Sequence, residues 1–423
     1  MSSLTVTLIL FSLLLLLLFL NVPLVVSIGL PTALIMLGSG MKVATLAQRT
    51  YASVDSFTLM AIPFFMLAGK LMEVGGMSKR IVRLADCLVG WMAGGLAHVI
   101  VVASAFFGAL SGSAAATTAA IGSTLIPEMK KRGYPADFVA GIQAVAGALG
   151  VIIPPSITMI MYGVCSSTSI GKLFMAGIVP GIVLALFLMV TIAYQAKMNT
   201  FTFKELGAAF LDAIPALLVP TIILGGIYGG IFTPTEAGAV AATYGFLAGA
   251  FWYKEINLQN IGNIMGGAIV NTVLVMIVVG ASGAFSWLLT SAGVSSLLGK
   301  AISAIAGNKY IFLLVANLIF IFIGMFIESV AGILIVTPIL LPIATSLGVD
   351  PVHFGIIMVV NLALGLTTPP VGENQYIAAA IAEIPFEEEV KASIPFLIAG
   401  FAALAVITYV EPLSLWLPGI LGM

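Results

Sequence analysis

Charge is what this sequence has least of. Of its 423 residues only 8% are Asp, Glu, Lys or Arg, against about 25% in a soluble domain. A water-facing surface needs interspersed charges to stay soluble, so a cytosolic enzyme, a nucleic-acid binder and a secreted scaffold are all excluded. Histidine and cysteine are nearly absent too, with two of each. Cys87 and Cys165 lie far apart in apolar surroundings and read as reduced, packed thiols. His98 and His353 have no partner at ligand spacing, which argues against a bound metal. What fills the chain is apolar: 61% hydrophobic residues and a mean hydropathy of +1.20. This is the composition of an all-α polytopic membrane protein, with no room for a soluble domain.

Apolar runs read as spans near 4–20, 23–40, 57–74, 135–165, 173–196, 213–232, 235–253, 263–289, 352–380 and 394–416. The first has no basic residue before it and no cleavage site after it, and reads as a retained span. Thr233-Pro234-Thr235-Glu236 is a capping box with Pro at the first helical position, so Glu236 is a cap and not an ion ligand. Lys and Arg fix the orientation. With the N-terminus outside, eleven of the sixteen, including Lys70, Arg80, Lys130 and Lys391, fall at cytoplasmic ends; Lys42, Arg49, Lys172, Lys300 and Lys309 fall outside. Both termini are then non-cytoplasmic.

The chain also repeats itself at an offset of about 215 residues. Phe107-Gly108, Pro127, Leu149-Gly150 and Pro154-Pro155 recur as Ile323-Gly324, Pro342, Leu364-Gly365 and Pro369-Pro370. In both copies the single proline precedes the pair by 27 residues (127 to 154, 342 to 369). Basic stretches bracket the run 96–127, which makes it a re-entrant hairpin entering and leaving on the cytoplasmic side. The matching run 310–345 is followed by Gly348-Val349-Asp350-Pro351 and suits the opposite side. Two homologous halves of opposite orientation, 1–205 and 206–423, form the inverted repeat common in secondary transporters.

The chemistry concentrates where helices break. Irregular backbone at membrane depth survives only where protein or a water-filled cavity satisfies it. Each Pro-Pro pair removes two amide donors and releases carbonyls of the preceding turn, oxygen ligands for a hard cation. The hairpin tips, Ser111-Gly112-Ser113 and Glu328-Ser329, offer helix N-termini to an anion. Glu328 and Glu373 are costly at membrane depth unless hydrated or paired, which marks them as functional candidates. Glu387-Glu388-Glu389 reads as a solvated face of a connection. The connections 76–95 and 291–307 have the mixed composition of helices lying in the interface.

Ala109 to Thr118, Ile153-Pro154-Pro155-Ser156, Thr233 to Ala237 and Thr367 to Gly372 together resemble the large membrane subunit of the tripartite ATP-independent periplasmic (TRAP) transporters. The likeness runs over essentially the whole chain. It implies an elevator-type transporter of the bacterial inner membrane, driven by Na+ as coupling ion. It also implies two partners besides the bilayer, a small four-helix membrane subunit and a periplasmic substrate-binding protein. The solute would carry a carboxylate: a sialic acid, a C4-dicarboxylate or a sugar acid. By the same resemblance one sodium site falls at Ser104, Gly108, Gly150 and Ile153, and another at Gly324, Gly365, Thr368 and Val371. The substrate carboxylate would face Ser111, Ser113, Ser156, Ser329 and Thr367. Glu373-Asn374-Gln375 departs from the family's apolar pattern after Pro-Val-Gly, and Glu373 joins the substrate-site candidates.

The rival within transport is a stand-alone sodium-coupled anion symporter. An intramembrane enzyme lacks its Ser/His or Asp/Asp constellation, and paired hairpins with broken helices favour alternating access over a channel.

Overall fold

In a computed structural model, residues 2–20, 22–92, 94–195, 206–294, 297 and 308–422 are described, and among them every regular element is helical. The order opens with α1 (Ser3–Phe19), α2 (Leu24–Gly38), α3 (Val43–Val54), α4 (Ala61–Val74, entered through the 3-10 turn Phe57–Met60) and α5 (Met77–Val89). Side-chain caps start several helices. Ser2 accepts from the Thr5 amide at α1, and Gly76, at φ +79°, turns the chain into α5. The amphipathic α3 was not foreseen: its short, mixed sequence hides among apolar runs, and Arg49 places its guanidinium over the Trp287 ring.

The next elements form the first motif. Helices α6 (Leu96–Ser111) and α7 (Ala114–Lys131) make a hairpin; α8 (Ala136–Ala146), α9 (Leu149–Ile152) and α10 (Ile157–Ser166) make a helix broken at Pro154-Pro155. Four helices follow: α11 (Ile170–Gln195), α12 (Leu206–Tyr228), α13 (Pro234–Leu247) and α14 (Ile261–Ser291). The expected capping box starts α13, with Thr233 and Glu236 exchanging both bonds. The chain then repeats its plan: hairpin α15 (Lys309–Gly324) and α16 (Ser329–Ser346), broken helix α17 (Pro351–Gly365) and α18 (Glu373–Ala382), then α19 (Phe386–Tyr409) and α20 (Pro412–Ile420). Matching hairpin helices have equal lengths, 16 and 18 residues in each copy, and both Pro-Pro bonds are cis. Most of the second amphipathic connection, 291–307, lies outside the described residues, as do Lys197, Lys204 and Lys300.

Among the described residues five helices are long and apolar enough to cross a membrane, and the pair around Pro154-Pro155, bent by 44°, makes up to six. Other runs read as spans give shorter helices, such as the 17 residues of α1 and 15 of α2, because turns and caps consume their ends. The run 394–416 is divided at Val410 and Glu411 between α19 and α20. Cys165 is exposed, not packed.

The two motifs are interlocked. Each hairpin packs on the first half of its own broken helix, α6 on α9 and α15 on α17, while the second halves cross over, α10 onto α16 and α18 onto α7 and α8. Polar ties lock the crossing: the Tyr162 hydroxyl donates to the Pro351 carbonyl at 2.6 Å, and Asn374 Nδ2 donates to the Ala144 carbonyl at 3.2 Å. Another tie joins α15, α17 and α19. Asn361 Nδ2 donates to Asn317 Oδ1 at 2.6 Å, and Asn317 Nδ2 to Thr408 at 3.1 Å. Buried His353 contacts Ser414 Oγ and the Thr408 carbonyl, a structural role for a histidine without metal-site neighbours. Around this core, α1, α2, α3, α4, α12, α13 and α14 pack on one another, and α5 is held to α12 by Arg80 and Arg83, each 3.7 Å from Asp212.

Candidate functional site

The first hairpin turns because α6 ends at Ser111 and Gly112 takes the left-handed conformation, φ +62°. Such a backbone suits glycine and strains any residue with a Cβ. Ser113 then caps α7 by accepting from the Ala116 amide at 3.3 Å, and Ser111 Oγ lies 2.9 Å from Thr117 Oγ1. The tip rests on its own break. A Cβ on Gly112 would sit 2.9 Å from the Pro155 carbonyl oxygen, and one on Gly150 would run into the Ser113 carbonyl oxygen and Thr117 Oγ1. At the break, α9 gives way to extended Ile153, and buried Ser156 caps α10 through the Met159 amide.

The second tip is built with an acid. Glu328 caps α16, its carboxylate accepting from the Val330 amide at 2.9 Å. At the second break Thr367 and Thr368 both donate to the Leu364 carbonyl at 2.7 Å, and Gly372, at φ +55°, starts α18.

These four irregular points converge on one cavity of about 390 Å³. Ser111, Gly112 and Ser113 line it from the first tip, Glu328 and Val330 from the second. Val151, Ile157 and Thr158 come from the first break, and Leu366 and Glu373 from the second. Its opposite wall belongs to the scaffold: Met66, Gly69, Lys70 and Glu73 of α4, and Asn271, Leu274, Val275 and Val278 of α14. Of the six substrate-site candidates, Ser111, Ser113 and Glu373 reach the cavity. Ser156, Ser329 and Thr367 are buried and do not line it.

Lys70 is the lining residue that the sequence reading did not single out. It stands on the cavity wall, its ammonium 2.9 Å from Glu73, and not merely at the end of a span. A charge within an apolar run was the available signal. With Glu73, Glu328 and Glu373 against Lys70, the lining carries three acids and one base, a formal charge of −2.

In each motif one glycine of the hairpin meets a glycine of the broken helix. Gly108 abuts Gly150, a Cβ on it lying 2.9 Å from the Gly150 Cα and from the Leu149 carbonyl oxygen. Ser104, one turn earlier on α6, is buried with its hydroxyl unmatched, and Ile153, at the break, packs its side chain against Gly181 of α11. Gly324 stands in the same relation to Gly365, at 3.0 Å, and Thr368 lies one turn beyond at the break. Val371 is exposed and lines an apolar groove beside Glu328. Among the described residues no cluster of three or more His, Cys, Asp or Glu is placed to hold a metal. One expectation is overturned: Glu387 and Glu388 are exposed, but Glu389 is fully buried, because α19 turns that residue inward.

Residues 8–413 match the family described as "Tripartite ATP-independent periplasmic transporter, DctM component". The chain is 42% identical to the C4-dicarboxylate TRAP transporter large permease protein DctM of Pseudomonas aeruginosa, covering 94% of this chain and 95% of that one. It is 42% identical to the isethionate TRAP transporter permease protein DctMQ of Oleidesulfovibrio alaskensis, covering 94% of this chain and 64% of that longer one. It is 37% identical to the sialic acid TRAP transporter large permease protein SiaM of Vibrio cholerae, covering 88% of each. The crystal structure of the YdaH transporter of Alcanivorax borkumensis shares the fold at a TM-score of 0.62 and 14% identity, over 88% of this chain and 89% of that one. The chain therefore belongs to the DctM-component family of TRAP transporters, membrane-embedded permeases and not enzymes.

Proposed function

We propose that this permease imports a carboxylate-bearing solute through the bacterial inner membrane, driven by a sodium gradient and by an elevator movement. The interlocked hairpins and broken helices would be the moving body, and α1–α4 with α12–α14 the fixed one. The observation that carries this reading is the cavity: both tips and both breaks meet there, and the facing wall comes from α4 and α14. Ser111, Ser113, Ser156, Ser329, Thr367 and Glu373 are the proposed substrate ligands, with Lys70 as the facing cation. Sodium would sit at Ser104, Gly108, Gly150 and Ile153, and at Gly324, Gly365, Thr368 and Val371. Two bound sodium ions would offset the formal −2 of the lining, so the solute and its coupling ions would enter together.

The equal helix lengths of the two motifs support a repeat, 1–205 and 206–423, and the Lys and Arg distribution favours its inversion and periplasmic termini. The names of the relatives, C4-dicarboxylate, isethionate and sialic acid transporters, favour a small organic anion. A periplasmic binding protein and a small membrane subunit complete the proposed system; the DctMQ relative, half as long again as the region matched here, fits a fusion of such a subunit.

Uptake into proteoliposomes tests this, using the chain with the small subunit and binding protein encoded beside it, with and without an inward sodium gradient. Uptake that needs both sodium and the binding protein supports the reading. Uptake by this chain and sodium alone replaces it with a stand-alone symporter, and uptake indifferent to sodium removes the coupling.

A further inference from the structure

A second cavity, of about 420 Å³, opens where α3 meets α14. It is lined by α3, α10, α14 and α16, and the last three also line the first cavity. On α14 the lining runs through Asn271, Leu274, Val275 and Val278 in the first cavity, then Val279, Ser282, Gly283 and Ser286 in the second. Steps of three and four residues keep to one helix face. Helix α10 passes likewise from Thr158 to Met161 and Cys165, and α16 from Val330 to Leu334 and Pro338. The two cavities are therefore successive stations on one seam, with α14 on one side and α10 and α16 on the other. From Val275 to Ser286 the seam runs about 16 Å, at about 1.5 Å per residue.

The charge changes sign along it. The first lining carries a formal −2; in the second, Arg49 is the single charged residue, a formal +1. The Arg49 guanidinium lies over the Trp287 ring, 4.8 Å from its centre, and among the described residues it is paired with no acid. Stacking on an aromatic face leaves the in-plane N–H donors of arginine for a carboxylate or sulfonate. Ser53 and Thr290 spend their hydroxyls on carbonyls one turn back in their own helices. Ser282, which lines the cavity and is 1% exposed, has a hydroxyl with no partner, and a buried polar group of that kind calls for one. A Cβ on Gly283 would run into Ser53, so glycine there lets α3 seat closely on α14 and carry Arg49 to the seam. By the Lys and Arg distribution Arg49 falls on the outer side and Lys70 on the cytoplasmic side.

We propose that Arg49, with the Ser282 hydroxyl, forms an outer site for the carboxylate or sulfonate of a small organic anion. It is the counterpart of Lys70 at the other end of the seam: when the hairpin tips stand at this end, Arg49 replaces Lys70 in the wall that faces them. That role rests on the transport reading; the site itself does not.

Cys165 is exposed and lines the site, so its modification reports on it. The test uses the full chain with Cys87→Ser, in right-side-out membrane vesicles, and two impermeant reagents of similar size and opposite charge, 2-sulfonatoethyl and 2-(trimethylammonium)ethyl methanethiosulfonate. The anionic reagent should react faster, at a rate that saturates with its concentration, while the cationic rate stays linear. Arg49→Gln should lower the anionic-to-cationic rate ratio roughly threefold or more, the effect of losing one nearby charge in watery surroundings, and should abolish the saturation. Lys42→Gln, which removes an exposed charge outside the lining, should keep the wild-type ratio. A ratio unmoved by Arg49→Gln, a ratio moved equally by Lys42→Gln, or a linear anionic rate in the wild type would overturn the site. Modification only in inside-out vesicles would overturn its outer place. In the uptake assay Arg49→Gln should raise KM severalfold, and an unchanged KM would overturn the role opposite Lys70. The modification rates need neither solute nor sodium gradient, so a failed transport reading shows in uptake alone and a failed site shows in the rates.

Discussion

Gly108 and Gly150 meet backbone to backbone, and so do Gly324 and Gly365: a Cβ added to the first member of either pair would lie 2.9 or 3.0 Å from its partner's Cα. The pairs sit at matched places in the two motifs and hold each hairpin against its broken helix. Neither contact has a flexible side chain that could give way. Gly108→Ala and Gly324→Ala are therefore expected to destabilise by about 1–3 kcal/mol each, the usual cost of overpacking. Thermal unfolding in detergent measures this, and a wild-type melting temperature would show that the helices part freely.

Ser113→Ala and Thr368→Ala should abolish uptake while leaving the chain folded. Ser113 contributes one cap bond, worth about 1 kcal/mol, and Thr368 donates to a carbonyl of its own helix. Neither loss is large enough to unfold a domain of ordinary stability. Monodisperse protein with unchanged uptake in both variants would sink the assignment.

Lys70 faces the tips across the cavity and is already bonded to Glu73. If it pairs with a substrate carboxylate, Lys70→Met removes a charge-assisted hydrogen bond, worth about 1.5–3 kcal/mol. That corresponds to a KM raised roughly tenfold or more. Glu73→Gln frees the ammonium and should lower KM. A KM that moves in neither variant would take α4 out of solute recognition.

The Asn361–Asn317–Thr408 chain predicts a structural effect without a functional one. Asn317→Leu leaves the Asn361 amide only the Asn317 backbone carbonyl at 3.2 Å and takes from the Thr408 hydroxyl its donor, at a cost of about 1–3 kcal/mol. The melting temperature should fall while the sodium dependence of uptake keeps its midpoint. A shifted midpoint would connect this tie to the ion sites.

Much of this arrangement was legible in the chain because it follows from backbone rules. Pro-Pro pairs cannot continue a helix, Gly112 and Ser113 spell a turn and a cap, and Thr233 with Glu236 spells a helix start; all stand where the residues put them. Sequence reading failed where the answer depends on which neighbour a helix face meets. Glu389 was read as solvated because it belongs to a run of three acids in a connection, but α19, with α8 and α18 packed on it, buries it. Lys70 sits in an apolar run, but the cavity lining it joins comes from six other stretches of chain. Helix α3 escaped notice since its mixed composition marks neither a span nor a loop.

Helix α14, 31 residues long, spans about 46 Å at 1.5 Å per residue, while the hydrocarbon layer is about 30 Å thick. It cannot stand upright within that layer. It must lean steeply, carry an end into the headgroups, or thicken the lipid beside it, and it forms one wall of the cavity as it does so. The thickness of the surrounding bilayer thus bears on the cavity itself: lipids of different chain length change how this wall is accommodated beside the two tips.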